Sequence, residues 1–338
     1  MRFGYISPEF ENDWEQLLKD NPATGYMQSF AWTGFKNLLA WDTFKIGIFN
    51  HDKLVGGAVV SRFAYTPRRN ALFISQGPVL PYDSPAQAGK MFAALMLEID
   101  KIANFSGDIL TSHLSIEPKI SILPSYLHRF VKAPVDQEPI RTLLIDLSLS
   151  QDDLWHQMQP KGRYNIKVAQ RHEVEITSTD LSRGWPDFYR FYKQFVNRKS
   201  IDGKNKSYFE RLAYIYPTVN LAQIYWSRYR GKIQDAAIVL YYGHTATFLY
   251  GASSATNRRS MSAYLLHWQI ILDAQKMGYR WYDFYGLTPR ESDSSHPWHG
   301  FSIFKQKFGG VIRKYLGAYD FVYNQPLYQE YLRKNCSV

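Results

Sequence analysis

The chain carries the same run of elements twice. Phe44–Phe49 reads as a strand, Asn50-His51-Asp52 as a polar turn and Lys53–Val60 as the returning strand. Far downstream, Leu221–Trp226, a turn through Arg230-Gly231 and Lys232–Val239 read the same way. Arms rich in β-branched and aromatic residues around a polar turn are the signature of a hairpin. Each hairpin is followed by another strand, Ala71–Ser75 or Ala246–Gly251. An amphipathic helix comes next, roughly Ser84–Ala103 or Ser262–Met277, ending near Gly107 or Gly278 before a further strand. Leu95, Ile99 and Ile102 in the first helix, and Leu266, Ile270 and Ala274 in the second, recur at helical spacing. Two copies of strand–turn–strand–strand–helix–strand predict a duplicated α/β unit. With the strand Thr142–Leu147 closing the first copy, the expected domains are 1–148 and 149–316, the tail 317–338 packing back on the first.

With 338 residues and 45% hydrophobic side chains, the chain can bury two cores and is not disordered. Its N-terminus is polar, and no window holds eighteen uninterrupted apolar residues, so neither a signal peptide nor a membrane span is expected. The lone cysteine, Cys336, makes no internal disulfide and no cysteine-based metal site. The expected location is the cytoplasm. A formal charge of +10 attracts polyanions: nucleic acid, nucleotide-linked substrates or the anionic inner leaflet of a membrane, which the protein could touch peripherally.

Part of that charge is concentrated. Pro160–Arg171 predicts a helix opened by proline, on which Arg163, Lys167 and Arg171 fall four residues apart and line one face. Lys161 and His172 extend the patch, and no acidic residue intervenes before Glu173. Like charges at this spacing repel by a few tenths of a kcal/mol per pair. The face is therefore either simply solvated or kept for an anion.

No G-x-S-x-G elbow, Walker loop, H-E-x-x-H or paired Cys-x-x-Cys occurs, and His296 and His299 beside Pro297 are weak metal spacing; no metal or other cofactor is expected. From Tyr250 to Asp320, aromatics, glycines and lysines crowd together. The runs are Tyr250-Gly251-Ala252-Ser253-Ser254, Tyr282-Asp283-Phe284-Tyr285-Gly286, His296-Pro297-Trp298-His299-Gly300 and Phe304-Lys305-Gln306-Lys307-Phe308-Gly309-Gly310. Glycine permits close backbone approach, and aromatics can stack on a ligand or fill a core. Lys305 and Lys307 share a face on a strand and diverge on a helix; a surface lysine pair is the structural alternative to a catalytic one.

These runs, in this order and together with Lys-x-Arg-x-Asn-Ile-Lys-x-Ala at Lys161–Ala169, resemble the FemABX family of non-ribosomal peptidyl aminoacyltransferases. The resemblance implies two tandem GNAT-like acyltransferase domains, an α/β fold with mixed sheets. It also implies transfer of an amino acid from aminoacyl-tRNA to the peptide amine of a peptidoglycan precursor, either a UDP-linked muropeptide or its lipid-linked form. Some members insert a long helical arm into the second domain. Here about fifty residues separate the basic helix from the strand at Leu221, which suits the shorter FemX type. By position, Lys36 and Lys204 resemble contacts to the precursor's diphosphate, the second replacing an arginine, and Tyr208 and Tyr250 resemble tyrosines of the precursor site. Lys305 resembles the lysine near the transferred acyl group. Glu117 falls where the type has an aspartate proposed as base. Lys161, Arg163, Lys167 and Arg171 are the expected tRNA contacts.

An aminoacyl ester is already activated, so attack by an amine needs no enzyme nucleophile or cofactor; positioning and oxyanion stabilisation suffice. Three other readings stay open. The same chemistry could serve another acceptor, or the chain could be a non-catalytic RNA-binding protein. It could also be an acyl-CoA N-acyltransferase, although Arg258–Ala263 has Met261 and Ser262 where the CoA loop of GNAT enzymes has glycines.

Overall fold

The computed structural model describes residues 2–104, 110–217, 221–290 and 293–335; Gly107 and Cys336 lie outside the described residues. The chain divides into two compact units, residues 1–140 with 314–338, and residues 141–313.

Unit 1 is built on one mixed sheet. Its strands are β1 (Arg2–Tyr5), β2 (Asp42–Asn50), β3 (Lys53–Thr66), β4 (Arg69–Ser75), β5 (Leu110–Glu117), β6 (Val131–Lys132) and, from the tail, β14 (Tyr319–Val322). They lie in the order β1-β2-β3-β4-β5-β14-β6. Helices α1 (Glu11–Asp20) and α2 (Phe30–Leu38) precede β2, α3 (Pro85–Asn104) links β4 to β5, and α10 (Gln325–Asn335) ends the tail. The helical spacing of α3 buries Leu95, Ile99 and Ile102 against Ile46, Ile48, Leu72 and Ile74 of the sheet. Truncating one such leucine to alanine costs about 2–5 kcal/mol. The tail returns because β14 pairs antiparallel with both β5 and β6.

Unit 2 repeats the plan in the order β13-β7-β12-β11-β10-β9-β8. The strands are β7 (Arg141–Asp146), β8 (Glu175–Asp180), β9 (Ala222–Tyr229), β10 (Lys232–Tyr242), β11 (Thr245–Ser253), β12 (Trp281–Gly286) and β13 (Val311–Lys314). Between them run α4 (Gln151–His156), α5 (Pro160–Arg171), α6 (Leu181–Lys199), α7 (Lys206–Ile215), α8 (Ser262–Lys276) and α9 (His299–Gln306). The repeat β2-β3-β4-α3-β5 thus has its counterpart in β9-β10-β11-α8-β12. Helix α8 buries Leu266, Ile270 and Ala274, and Gly278, with φ of +85°, ends it in the left-handed turn that favours glycine. Only Ser200–Asn205 separates α6 from α7, so no long arm is inserted there.

One strand changes sides. The sequence assigns Thr142–Leu147 to the first half and sets the division at 148/149. In the structure β7 pairs antiparallel with β12 of the second sheet, and the units divide at 140/141 and 313/314. The reason is that pairing partners are set by contacts across the sheet, not by order along the chain.

Candidate active site

The parallel pair in unit 2 is the place to begin. Strands β11 and β12 are in register only over Thr245–Thr247 against Trp281–Asp283, although both run on, to Ser253 and Gly286. Beyond that point they diverge. Each also carries an irregularity there: the β11 register skips Leu249, and β12 gains one residue over β7 between Asp283 and Gly286. Bulges bend a strand and re-aim its polar groups.

Lys305 fills this open end. It lies on α9 and is 2% exposed. Its ammonium donates to the carbonyls of Tyr285 (3.1 Å) and Gly286 (2.6 Å) on β12. It also stands over the rings of Phe301 (4.3 Å) and Phe248 (5.8 Å), the latter on β11. An ammonium has three protons, and two are committed to these carbonyls. Burial pulls its pKa from 10.5 to about 7, while the carboxylate of Asp283 acts in the opposite sense. The surface-pair alternative does not hold: α9 is a helix, Lys305 points inward and Lys307 is only half-buried at its C-terminal cap.

Around Lys305, His267 of α8 bonds through Nδ1 to the Tyr282 hydroxyl at 2.8 Å, and burial lowers its pKa to about 3, so it is neutral. Neither His267 nor Asp283 was singled out from sequence. The available signal was a polar residue inside an apolar stretch, which implies a satisfied partner.

The basic helix packs directly beneath this segment. A Cβ added at Gly162 of α5 would stand 2.5 Å from the Lys307 carbonyl, and one at Gly309 would stand 2.5 Å from that of Gln157. The glycines of two separate motifs therefore allow one close approach. The expected stripe is less uniform than its spacing implies. Lys161, Lys167 and Arg171 are exposed, but Arg163 is half-buried and donates to the carbonyls of His156 (3.1 Å) and Met158. It ties α5 to α4.

Three of the expected precursor residues come together on unit 2. The hydroxyls of Tyr208 (α7) and Tyr250 (β11) are 2.7 Å apart, and Lys204, exposed, lies 5.3 Å from the Tyr208 ring. Tyr192 and Phe209 pack edge-on beside them. Lys36 is in unit 1, on α2, with its ammonium 3.7 Å over the Trp41 ring.

Glu117 ends β5 in unit 1. It is 6% exposed; Oε1 accepts from the Glu138 N–H (3.1 Å), and Oε2 has no partner among the described residues. Burial raises its pKa from 4.5 to about 8. A carboxyl so placed is mostly protonated at neutral pH and is a poor base until it ionises.

The loop before α8 lines an open cavity of about 400 Å³ with His172, Tyr229, Asn257, Arg258 and Arg259. Met261 adopts φ of +54° there. The left-handed turn that glycine would supply is thus present without it.

Known proteins share this architecture. The profile of the FemAB family matches residues 128–237 and 228–333. A lipid II:glycine glycyltransferase of Staphylococcus aureus (strain COL) is 20% identical over 397 aligned residues, covering 93% of this chain and 92% of that protein. One from Staphylococcus haemolyticus (strain JCSC1435) is 32% identical over 99 residues, 29% of this chain and 23% of the relative. Among solved structures, FemX superposes with a TM-score of 0.82 at 17% identity, over 98% of this chain and 99% of that one. A tandem GNAT protein from the clavulanic acid biosynthesis pathway gives 0.57 at 11% identity, over 95% and 98%. The fold is a pair of GNAT-like α/β domains.

Proposed function

This chain belongs to the FemAB family, and from that premise we propose that it is an aminoacyltransferase of interpeptide bridge synthesis. It forms an amide by moving an amino acid from aminoacyl-tRNA to the peptide amine of a peptidoglycan precursor, a UDP-linked muropeptide or its lipid-linked form. The S. aureus relative named for lipid II and glycine supports this class of acceptor. The observation that carries the reading is the buried ammonium of Lys305 at the open end of the β11/β12 pair, held by two carbonyls with a third proton uncommitted to them.

The chemistry follows from that group. The acceptor amine attacks the ester carbonyl, forming the C–N bond as the bond to the ribose oxygen breaks. Negative charge develops first on the carbonyl oxygen and then on the departing ribose oxygen, which ends with the proton that the amine loses. A preorganised cation in a site shielded from water stabilises both without reorganising. Lys204, Tyr208 and Tyr250 bind the acceptor, Lys204 as a point charge for its diphosphate and the tyrosines as stacking and hydrogen-bonding groups. Lys36, of unit 1, is an acceptor contact on the strength of its sequence position alone. Lys161, Lys167 and Arg171 contact tRNA phosphates, with Arg163 anchoring their helix. Glu117 of unit 1, held protonated at neutral pH by its burial, is poorly suited to take the amine's proton. The chemistry belongs in the cytoplasm, where aminoacyl-tRNA is made; among the described residues no helix is long and apolar enough to cross a membrane.

The test is transfer of labelled amino acids from a total aminoacyl-tRNA pool to UDP-linked muropeptide and, separately, to its lipid-linked form. Label in either product supports the reading, and the better acceptor identifies the substrate. The left-handed turn at Met261 and its adjoining cavity favour one rival, an acyl-CoA donor. Acyl transfer from CoA with none from tRNA would overturn the proposal.

A further inference from the structure

One carboxyl group organises the backbone that holds Lys305. Asp283 lies in Trp281-Tyr282-Asp283-Phe284-Tyr285-Gly286, a run otherwise aromatic or without charge, and is 4% exposed. A carboxylate buried there must be paired or hydrogen-bonded. Its Oδ1 accepts from the Thr142 hydroxyl on the adjacent β7 and from the N–H of Tyr285 at 2.7 Å. The second bond closes a turn of the kind that aspartate makes with the backbone two residues on. It falls at the bulge: Asp283 faces Leu144, but Gly286, three residues further, faces Thr142. Inside the bulge Tyr285 has φ of +57°, a left-handed conformation that a tyrosine keeps only when its surroundings impose it. In a regular strand successive carbonyls point opposite ways. Here those of Tyr285 and Gly286 both reach the same ammonium, at 3.1 and 2.6 Å.

We propose that Asp283 is a positioning residue for Lys305: its side chain fixes the bulge that turns two carbonyls onto the lysine, and its negative charge favours the ammonium form. This rests on the role given to Lys305 above. Among the described residues, the groups facing Lys305 are Asp283 from β12, His267 from α8, Phe248 from β11 and Phe301 on α9. The rings carry no charge and His267 is neutral. Among the described residues, the opposing charge on the cation therefore comes from Asp283.

Two substitutions separate charge from geometry. Asp283→Asn keeps an Oδ1 acceptor for Thr142 and Tyr285 and removes the charge; Asp283→Glu keeps the charge and displaces the oxygens. Lys305 is followed by carbon NMR of Cε-labelled lysine, assigned with Lys305→Met and needing no substrate. Single-turnover transfer is measured in parallel against pH. Asp283→Asn is expected to move the Lys305 titration down by roughly one pH unit or more. Transfer should then fall about tenfold near pH 8 and less than about twofold near pH 5.5. Asp283→Glu keeps the charge but loosens the two carbonyls on the ammonium, so it should lower the rate at every pH. A folded Asn variant with an unmoved Lys305 titration overturns the proposal. If that variant does not fold, a Glu variant with a wild-type titration and wild-type transfer overturns it too. A moved titration with unchanged transfer upholds the Asp283–Lys305 coupling and overturns instead the catalytic reading of Lys305.

Discussion

The two units share an element order and differ at the C-terminal end of their parallel strands. In unit 1, β4 and β5 stay paired from Arg69–Leu110 to Ser75–Glu117, and the Gln76 N–H then donates to the Glu117 carbonyl at 2.9 Å. In unit 2, β11 and β12 part after Thr247 and Asp283, and an ammonium from α9 meets the carbonyls beyond. A closed ladder satisfies its own backbone and offers a ligand nothing. An open one exposes polar backbone that must find partners, and it leaves room for a reacting group. The ionisable groups differ in the same way: a buried acid, Glu117, at the closed end and a buried base, Lys305, at the open one. Duplication supplied the scaffold twice, and the chemistry is assigned to the copy whose ladder opens.

The sharpest way to break this contrast is Lys305→Met. Loss of a cation that stabilises the oxyanion should cost about 10²-fold or more in single-turnover rate, with the acceptor Michaelis constant nearly unchanged. A normal rate would leave unit 2 with binding residues only.

A smaller effect is expected at the acceptor residues. Lys204→Met in unit 2 and Lys36→Met in unit 1, made separately, should each raise the acceptor Michaelis constant roughly tenfold, with the tRNA constant unchanged. If only Lys204→Met does so, acceptor recognition belongs to unit 2 alone. If both substrates' constants rise together, the variant has disturbed the fold.

Next is the basic helix. For every tRNA phosphate that the protein no longer neutralises, the slope of log affinity against log salt should shrink by about 0.7–0.9. Neutralising Lys161, Lys167 and Arg171 should flatten it accordingly. Arg163→Gln should barely move it and should lower the melting temperature, because Arg163 donates to carbonyls of the preceding segment. A full loss of slope from Arg163→Gln would reverse that assignment.

The subtlest difference is in stability against pH. Burial raises Glu117 from 4.5 to about 8, so between these values the native state holds a proton that the unfolded state has lost. Its stabilising contribution is complete below about pH 4.5 and is lost as pH rises through about 8. Lys305 is lowered from 10.5 to about 7, so the unfolded state binds the extra proton between those values and stability rises across them. Chemical denaturation over this range should show the Glu117→Gln variant lacking the decline between about pH 5 and pH 8. The Lys305→Met variant should lack the alkaline gain. Wild-type slopes in both would mean that these groups do not titrate as their burial implies.

The sequence by itself determined the local architecture. The proline-opened helix Pro160–Arg171 has the same bounds in the structure, and the hairpins and the apolar faces of α3 and α8 lie where periodicity puts them. Which face of an element is apolar is written in spacing of two or 3.6 residues, and that information is local. Only the tertiary structure decided the rest. It gave β7 to the second sheet, brought Tyr208 and Tyr250 within hydrogen-bonding distance from 42 residues apart, and committed Arg163 to carbonyls instead of solvent. It also buried Lys305 and aimed Asp283 at the bulge beneath it. A lysine in Phe304–Phe308 looks the same in sequence whether it faces water or a diverging pair of strands. Burial, hydrogen-bond partners and the resulting shift in proton affinity come from groups distant along the chain, and spacing carries no record of them.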